Sequence, residues 1–60
     1  MFVIITYKNG HITGYRDVTR ITEAYNTTAK RITIVLQIKF VSSVQFFRDE
    51  IGRMEVDVNQ

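Results

Sequence analysis

The sequence predicts a small all-β domain of five or six short antiparallel strands, arranged as a strongly curved sheet or a small open barrel. Three observations predict it. Apolar residues recur with a period of two rather than 3.6. Asn9-Gly10 falls between β-prone runs, where a hairpin turn belongs. A pattern of aromatic-Arg-Asp followed by an aliphatic residue occurs twice, so the chain reads as two pseudo-repeated halves.

The elements follow in order. Residues 2–8 (FVIITYK) are apolar on both faces and read as a central strand. Asn9-Gly10 tolerates the positive φ of a type I′ turn, and His11-Ile12-Thr13 begins the return strand. Residues 19–25 (TRITEAY) alternate again, and Asn26 to Lys30 make a turn. In residues 31–40, Ile32, Ile34, Leu36, Ile38 and Phe40 share one face, with Arg31, Thr33, Val35, Gln37 and Lys39 on the other. That is a half-buried strand of about ten residues, roughly 33 Å long, with Ile34 and Leu36 as core. Residues 53–58 place Met54, Val56 and Val58 opposite Arg53, Glu55 and Asp57.

Residues 41–52 read two ways. Val44, Phe47 and Ile51 fit one face of a short helix over 43–51, with Ser42 and Gln45 as a capping box and Gly52 as its stop. Against the helix, Asp49 and Glu50 would lie at its negative end, and Val44 and Phe46 suit a strand. The repeat favours strand then turn. Tyr15-Arg16-Asp17-Val18-Thr19-Arg20-Ile21 aligns with Phe47-Arg48-Asp49, an extra Glu50, then Ile51-Gly52-Arg53-Met54. Carried back, Val3-Ile4 falls on Val35-Leu36, and the Asn9-Gly10 turn falls on Val41-Ser42. Each half then runs strand, turn, strand, tight Arg-Asp corner, strand.

Sixty residues make one domain spanning 1–60. A chain this short buries only about 60% of its unfolded surface, and such domains commonly need a disulfide, a metal or a partner subunit. There is no Cys and a single His, His11, which excludes disulfides and thiolate or multi-His metal sites within one chain. That leaves a partner, most simply a second copy. Residues 1–48 carry seven basic against two acidic side chains, net +5, and residues 49–60 carry one against four, net −3. A basic body with an acidic end can pair with itself. The N-terminal run lacks a basic n-region and a small-residue cleavage site, and the apolar runs are too short for a membrane span. Together with the absence of Cys, this points to the cytoplasm and to no membrane partner.

No catalytic constellation is present. The hydroxyls of Ser42, Ser43 and the threonines have only His11 as a base, and His11 sits beside a hairpin turn. Asp49 and Glu50 are adjacent, and on extended backbone they would point to opposite sides. Gly10, Gly14 and Gly52 are too scattered for a phosphate loop. No cofactor is implied. Aromatic and basic neighbours do recur: Tyr7-Lys8, Tyr15-Arg16, Lys39-Phe40 and Phe47-Arg48. Exposed Tyr15 and Tyr25 with Lys8, Arg16 and Arg20 would be the best patch for stacking single-stranded nucleic acid. Val35, together with Phe46 or Phe47, adds apolar surface that one small core does not absorb, with Phe47 the one assigned to the surface. These seven residues form the candidate interaction surface.

Tyr7-Lys8-Asn9-Gly10 ends the first strand, and Asp49-Glu50-Ile51-Gly52-Arg53-Met54-Glu55-Val56 forms the last segment. On these runs the chain resembles very short all-β proteins encoded by bacteriophages and prophages, most of them without an assigned activity. The resemblance implies origin and fold. The expectation is a non-enzymatic protein–protein interaction module that self-assembles or modulates a host protein. The alternative is a small β domain that binds nucleic acid.

Overall fold

Alternation builds the strands, and short polar turns reverse them. The computed structural model describes residues 1–40 and 42–59. In chain order the strands are β1 (Phe2–Tyr7), β2 (Ile12–Tyr15), β3 (Val18–Asn26), β4 (Arg31–Ile38), β5 (Ser42–Phe47) and β6 (Ile51–Asp57). They form two three-stranded antiparallel sheets, β2-β1-β6 and β3-β4-β5. The two ladders stay separate, and the sheets do not close into a barrel. β1 is central, as its two apolar faces require.

The core lies between the sheets. Val3 and Ile5 of β1 meet Ile34 and Leu36 of β4, with Val18 at the head of β3, and all five are buried. Tyr7, Tyr15, Ile21, Ile38, Phe46 and Ile51 pack half-buried around them. Backbone bonds tie the sheets at the corner before β3. The N-terminal ammonium donates to the Val18 carbonyl at 2.8 Å, and the Val18 N–H donates to the Met1 carbonyl at 3.0 Å.

Residues 43–51 are not a helix. β5 continues to Phe47, and only Arg48–Glu50 coils, as one 3₁₀ turn. The Ser42–Gln45 capping box is absent because both residues belong to a strand paired with β4. The first hairpin also differs from the type I′ prediction. Gly10 has φ +92°, whereas Asn9 stays at negative φ. The Gly10 N–H donates to the Tyr7 carbonyl and the Tyr7 N–H to the His11 carbonyl. This is a three-residue loop whose last residue is left-handed, a type I turn with a glycine bulge. The Asn9 side chain is used otherwise: Oδ1 accepts the His11 N–H at 2.9 Å.

The two halves are related by a pseudo-two-fold. Exchanging β1, β2, β3 for β4, β5, β6 turns the order β2-β1-β6 into β5-β4-β3, which is the other sheet. Each half carries a bulge at the same place. Thr19 is the extra residue between the Val18–Ile38 and Arg20–Gln37 pairs, and Gly52 between the Ile51–Tyr7 and Arg53–Thr6 pairs. The turn after each first strand is anchored alike: the Lys8 N–H donates to the Glu50 carbonyl, and the Lys39 N–H to the Asp17 carbonyl.

The register differs by one residue from the sequence repeat. Ile5 pairs with Met54 and Thr13, and Leu36 pairs with Ile21 and Val44, so Val3 corresponds to Ile34 rather than to Val35. Tyr15 likewise corresponds to Phe46, each lying opposite the buried residue of its neighbour strand. A one-residue slip exchanges the faces of a strand, and burial permits only the corrected register. Val41, where the repeat placed half of a turn, lies outside the described residues.

Candidate functional site

Of the candidate surface, the structure brings together only Lys8 and Tyr25. They line one shallow groove with Lys30, Arg31, Ile32, Arg48, Asp49 and Ile51. Tyr25 is 61% exposed there. Tyr15, expected on the outside, is half-buried because the Tyr15–Val3 pair turns it onto the core. The Arg16 guanidinium stands 5.8 Å from the Phe2 ring centroid, and Arg20 is exposed on β3 opposite Gln37. Val35 lies half-buried on the outer face of β4, between Thr22 and Gln45. Phe47 is covered by Arg31, whose guanidinium carbon sits 3.7 Å above the ring centroid.

Arg31 organises the groove. Its Nε donates to Asp49 at 2.8 Å, and a terminal nitrogen donates to Glu50 at 3.0 Å. The two carboxylates thus meet one guanidinium, contrary to the expectation that they diverge. That expectation assumed extended backbone, and the 3₁₀ turn over Arg48–Glu50 removes the alternation. Hydrogen bonding to Asp49 raises the Arg31 pKa, and the same bond holds the Asp49 carboxyl below its ordinary range. Arg48 is paired as well, with Glu23 at 3.0 Å. Two of the four cations in the groove are therefore already neutralised, so it is a weak anion site. Burial, with Tyr15 nearby, pushes the Tyr7 hydroxyl above its ordinary pKa. His11 lies 6.0 Å from the Tyr7 ring, beside the turn. Among the described residues no cluster of His, Cys, Asp and Glu could hold a metal.

The feature that sequence reasoning passed over is β6. β3 and β5 pair the long strand β4 on both sides, and the free edges belong to β2, β6, β3 and β5. On β6, Met54 lies opposite Ile5 and Val56 opposite Val3, so both share the core face. Yet Met54 is 37% exposed, Val56 42% and the following Val58 74%. The backbone there is unpaired too. The Tyr7 N–H points to β2, so by antiparallel alternation Thr6 and Ile4 direct their amides to β6. Their partners Arg53 and Glu55 answer them. Met54 and Val56 therefore turn N–H and C=O away from β1, to the open edge. The signal was present in the alternation of residues 53–58, but alternation does not say whether a neighbour covers the apolar side. The chain matches no family model, no curated protein sequence and no solved structure.

Proposed function

We propose that the chain is a non-enzymatic protein–protein interaction module that assembles with itself, most simply as a dimer. The observation that carries this reading is the β6 strip, where core-facing apolar side chains and free backbone groups lie together at a sheet edge. Such an edge is a template for another strand. The accessible surface supports it: 4461 Å², against about 4,000 Å² for a folded monomer of this mass. Among the described residues the buried core numbers five and is small, and a second subunit would add the burial that no disulfide supplies. The resemblance to short phage proteins supports an origin in a phage or other mobile element. The lack of Cys suits work in the host cytoplasm, where a host protein could take the same edge.

Light scattering and thermal melts over a range of protein concentration test the reading. The expected result is twice the 7.0 kDa chain mass at high micromolar concentration, with a melting temperature that rises with concentration. A monomer whose melting temperature is independent of concentration would overturn self-assembly.

A second reading, binding of single-stranded nucleic acid, is favoured by one observation: exposed Tyr25 shares its groove with Lys8 and Lys30. The pairing of Arg31 and Arg48 within the chain weakens it.

A further inference from the structure

We infer that the second copy docks by antiparallel pairing of β6 with its own equivalent, about a two-fold axis through Met54, giving one continuous six-stranded sheet. This rests on the self-assembly reading and names its surface and register. The strand runs Ile51–Asp57, so Met54 is its midpoint, and a two-fold there overlaps its whole length with itself. The outward-turned amides of Met54 supply the central hydrogen-bonded pair.

Charge selects among the neighbouring registers. With the axis at Met54, Arg53 lies directly opposite Glu55 of the other copy, and this attraction occurs twice. With the axis at Glu55, Arg53 lies opposite Asp57 twice, but the two Glu55 carboxylates confront each other at the centre, a repulsion that the Met54 register avoids. With the axis at Val56, Glu55 faces Asp57 twice. Opposite charges directly across antiparallel strands stabilise and like charges destabilise. Arg53 and Glu55 already bond at 3.0 Å within one chain, with their side chains 73% and 50% exposed. Both are therefore solvated, and exchanging partners requires no unfolding. On the other face Met54 meets its own equivalent, and the two Val56 side chains flank that pair.

The edge equivalent to β6 under the pseudo-two-fold is β3, and it is less suited. Glu23 stands where β6 has Val56, and it is held by Arg48.

The test is a mixing experiment with single-cysteine variants of the full chain under mild oxidation. Arg53→Cys and Glu55→Cys face each other only across the proposed axis, in a non-hydrogen-bonded pair of close Cα atoms. Mixing the two should give a disulfide-linked heterodimer, and either variant alone should remain largely reduced. Preferential cross-linking of Glu55→Cys with itself would place the axis at Glu55 and overturn the register. A parent chain that scatters as a dimer, with no cross-link in the mixture, would overturn the β6 edge while leaving self-assembly standing. A parent that stays monomeric would remove both. As an independent arm, Arg53→Glu should weaken dimerisation about tenfold or more by opposing like charges twice. Arg53→Glu with Glu55→Arg should restore it. Failure of the double variant to restore, with the strand content of the parent retained, also overturns the proposal.

Discussion

Replacing Leu36 by Ala probes the centre of the molecule. Leu36 is 0% exposed and sits in the middle of β4, between Ile21 and Val44. The change deletes three carbon groups, worth about 2.4 kcal/mol at roughly 0.8 kcal/mol each before any cavity is counted. With the cavity, buried Leu→Ala changes cost about 2–5 kcal/mol. A chain of 60 residues has a total stability of about 3–9 kcal/mol, from roughly 0.05–0.15 kcal/mol per residue. The loss therefore takes about a fifth of the stability at least, and all of it at the other extreme. In a domain this small each kcal/mol moves the melting temperature by about 4–8 °C, so the melt should fall by at least about 8 °C. Circular dichroism at one fixed protein concentration reads this directly. The pseudo-two-fold adds a control, because Ile5 occupies the equivalent position and is equally buried. Ile5→Ala should cost the same to within about 1 kcal/mol. A fall of less than about 4 °C for Leu36→Ala, roughly 1 kcal/mol at most, would refute the placement of the core.

Three further outcomes follow from local geometry. Gly10 holds φ +92° in open space, so Gly10→Ala meets no neighbour and loses about 1–2 kcal/mol through backbone strain alone, visible as a lowered melting temperature. The Asp49 carboxyl is held below its ordinary range by Arg31. Its contribution is therefore complete above the unfolded pKa of about 3.9 and is lost as pH falls through the lower folded value. Melts between neutral and strongly acid pH should show this loss, and Asp49→Asn should flatten it. Single-stranded oligonucleotides should bind no more tightly than about 10⁻⁴–10⁻⁶ M at physiological salt. Submicromolar binding in a filter or anisotropy assay would favour the nucleic-acid reading over the one proposed.

The strands and the core face of β4 were legible because a period of two leaves little choice of secondary structure. Ile34 and Leu36 could be named as core for that reason. Three things were not legible, each for a different cause. Asn9-Gly10 is compatible with two loop types, and the choice depends on the Asn9 side chain capping the His11 N–H, which spacing alone does not reveal. The repeat aligned the Arg-Asp corners, but the second corner absorbs extra residues in its 3₁₀ turn, so a register carried back through it slips by one. The convergence of Asp49 and Glu50 on Arg31 arises from that same turn and from a partner 18 residues away, beyond the reach of any local pattern. For the candidate surface, aromatic-basic adjacency was a poor guide. Neighbours on a strand face opposite sides, and Tyr15 went inward and Arg16 did not.

The pseudo-two-fold sharpens what distinguishes one edge from the other. A symmetric scaffold offers β3 and β6 as equivalent edges, each beside a central strand that supplies two core residues. On β3 the residues that follow half-buried Ile21 on the core-facing side are Glu23 and Tyr25, and Glu23 is bonded to Arg48. That ion pair sets a polar lip across the core at one end. The corresponding run is Met54 and Val56 of β6 and then Val58 just past its end, with no charge among them. If both edges served only to bound the core, the same polar lip would suit both, since an inward-pointing charge on an edge blocks pairing with a stray strand. β3 carries such an inward charge in Glu23, whereas β6 carries its charges, Arg53, Glu55 and Asp57, on the outer face alone. Duplicated geometry with unequal side chains is the arrangement expected when one edge closes the fold and the other is kept for a partner.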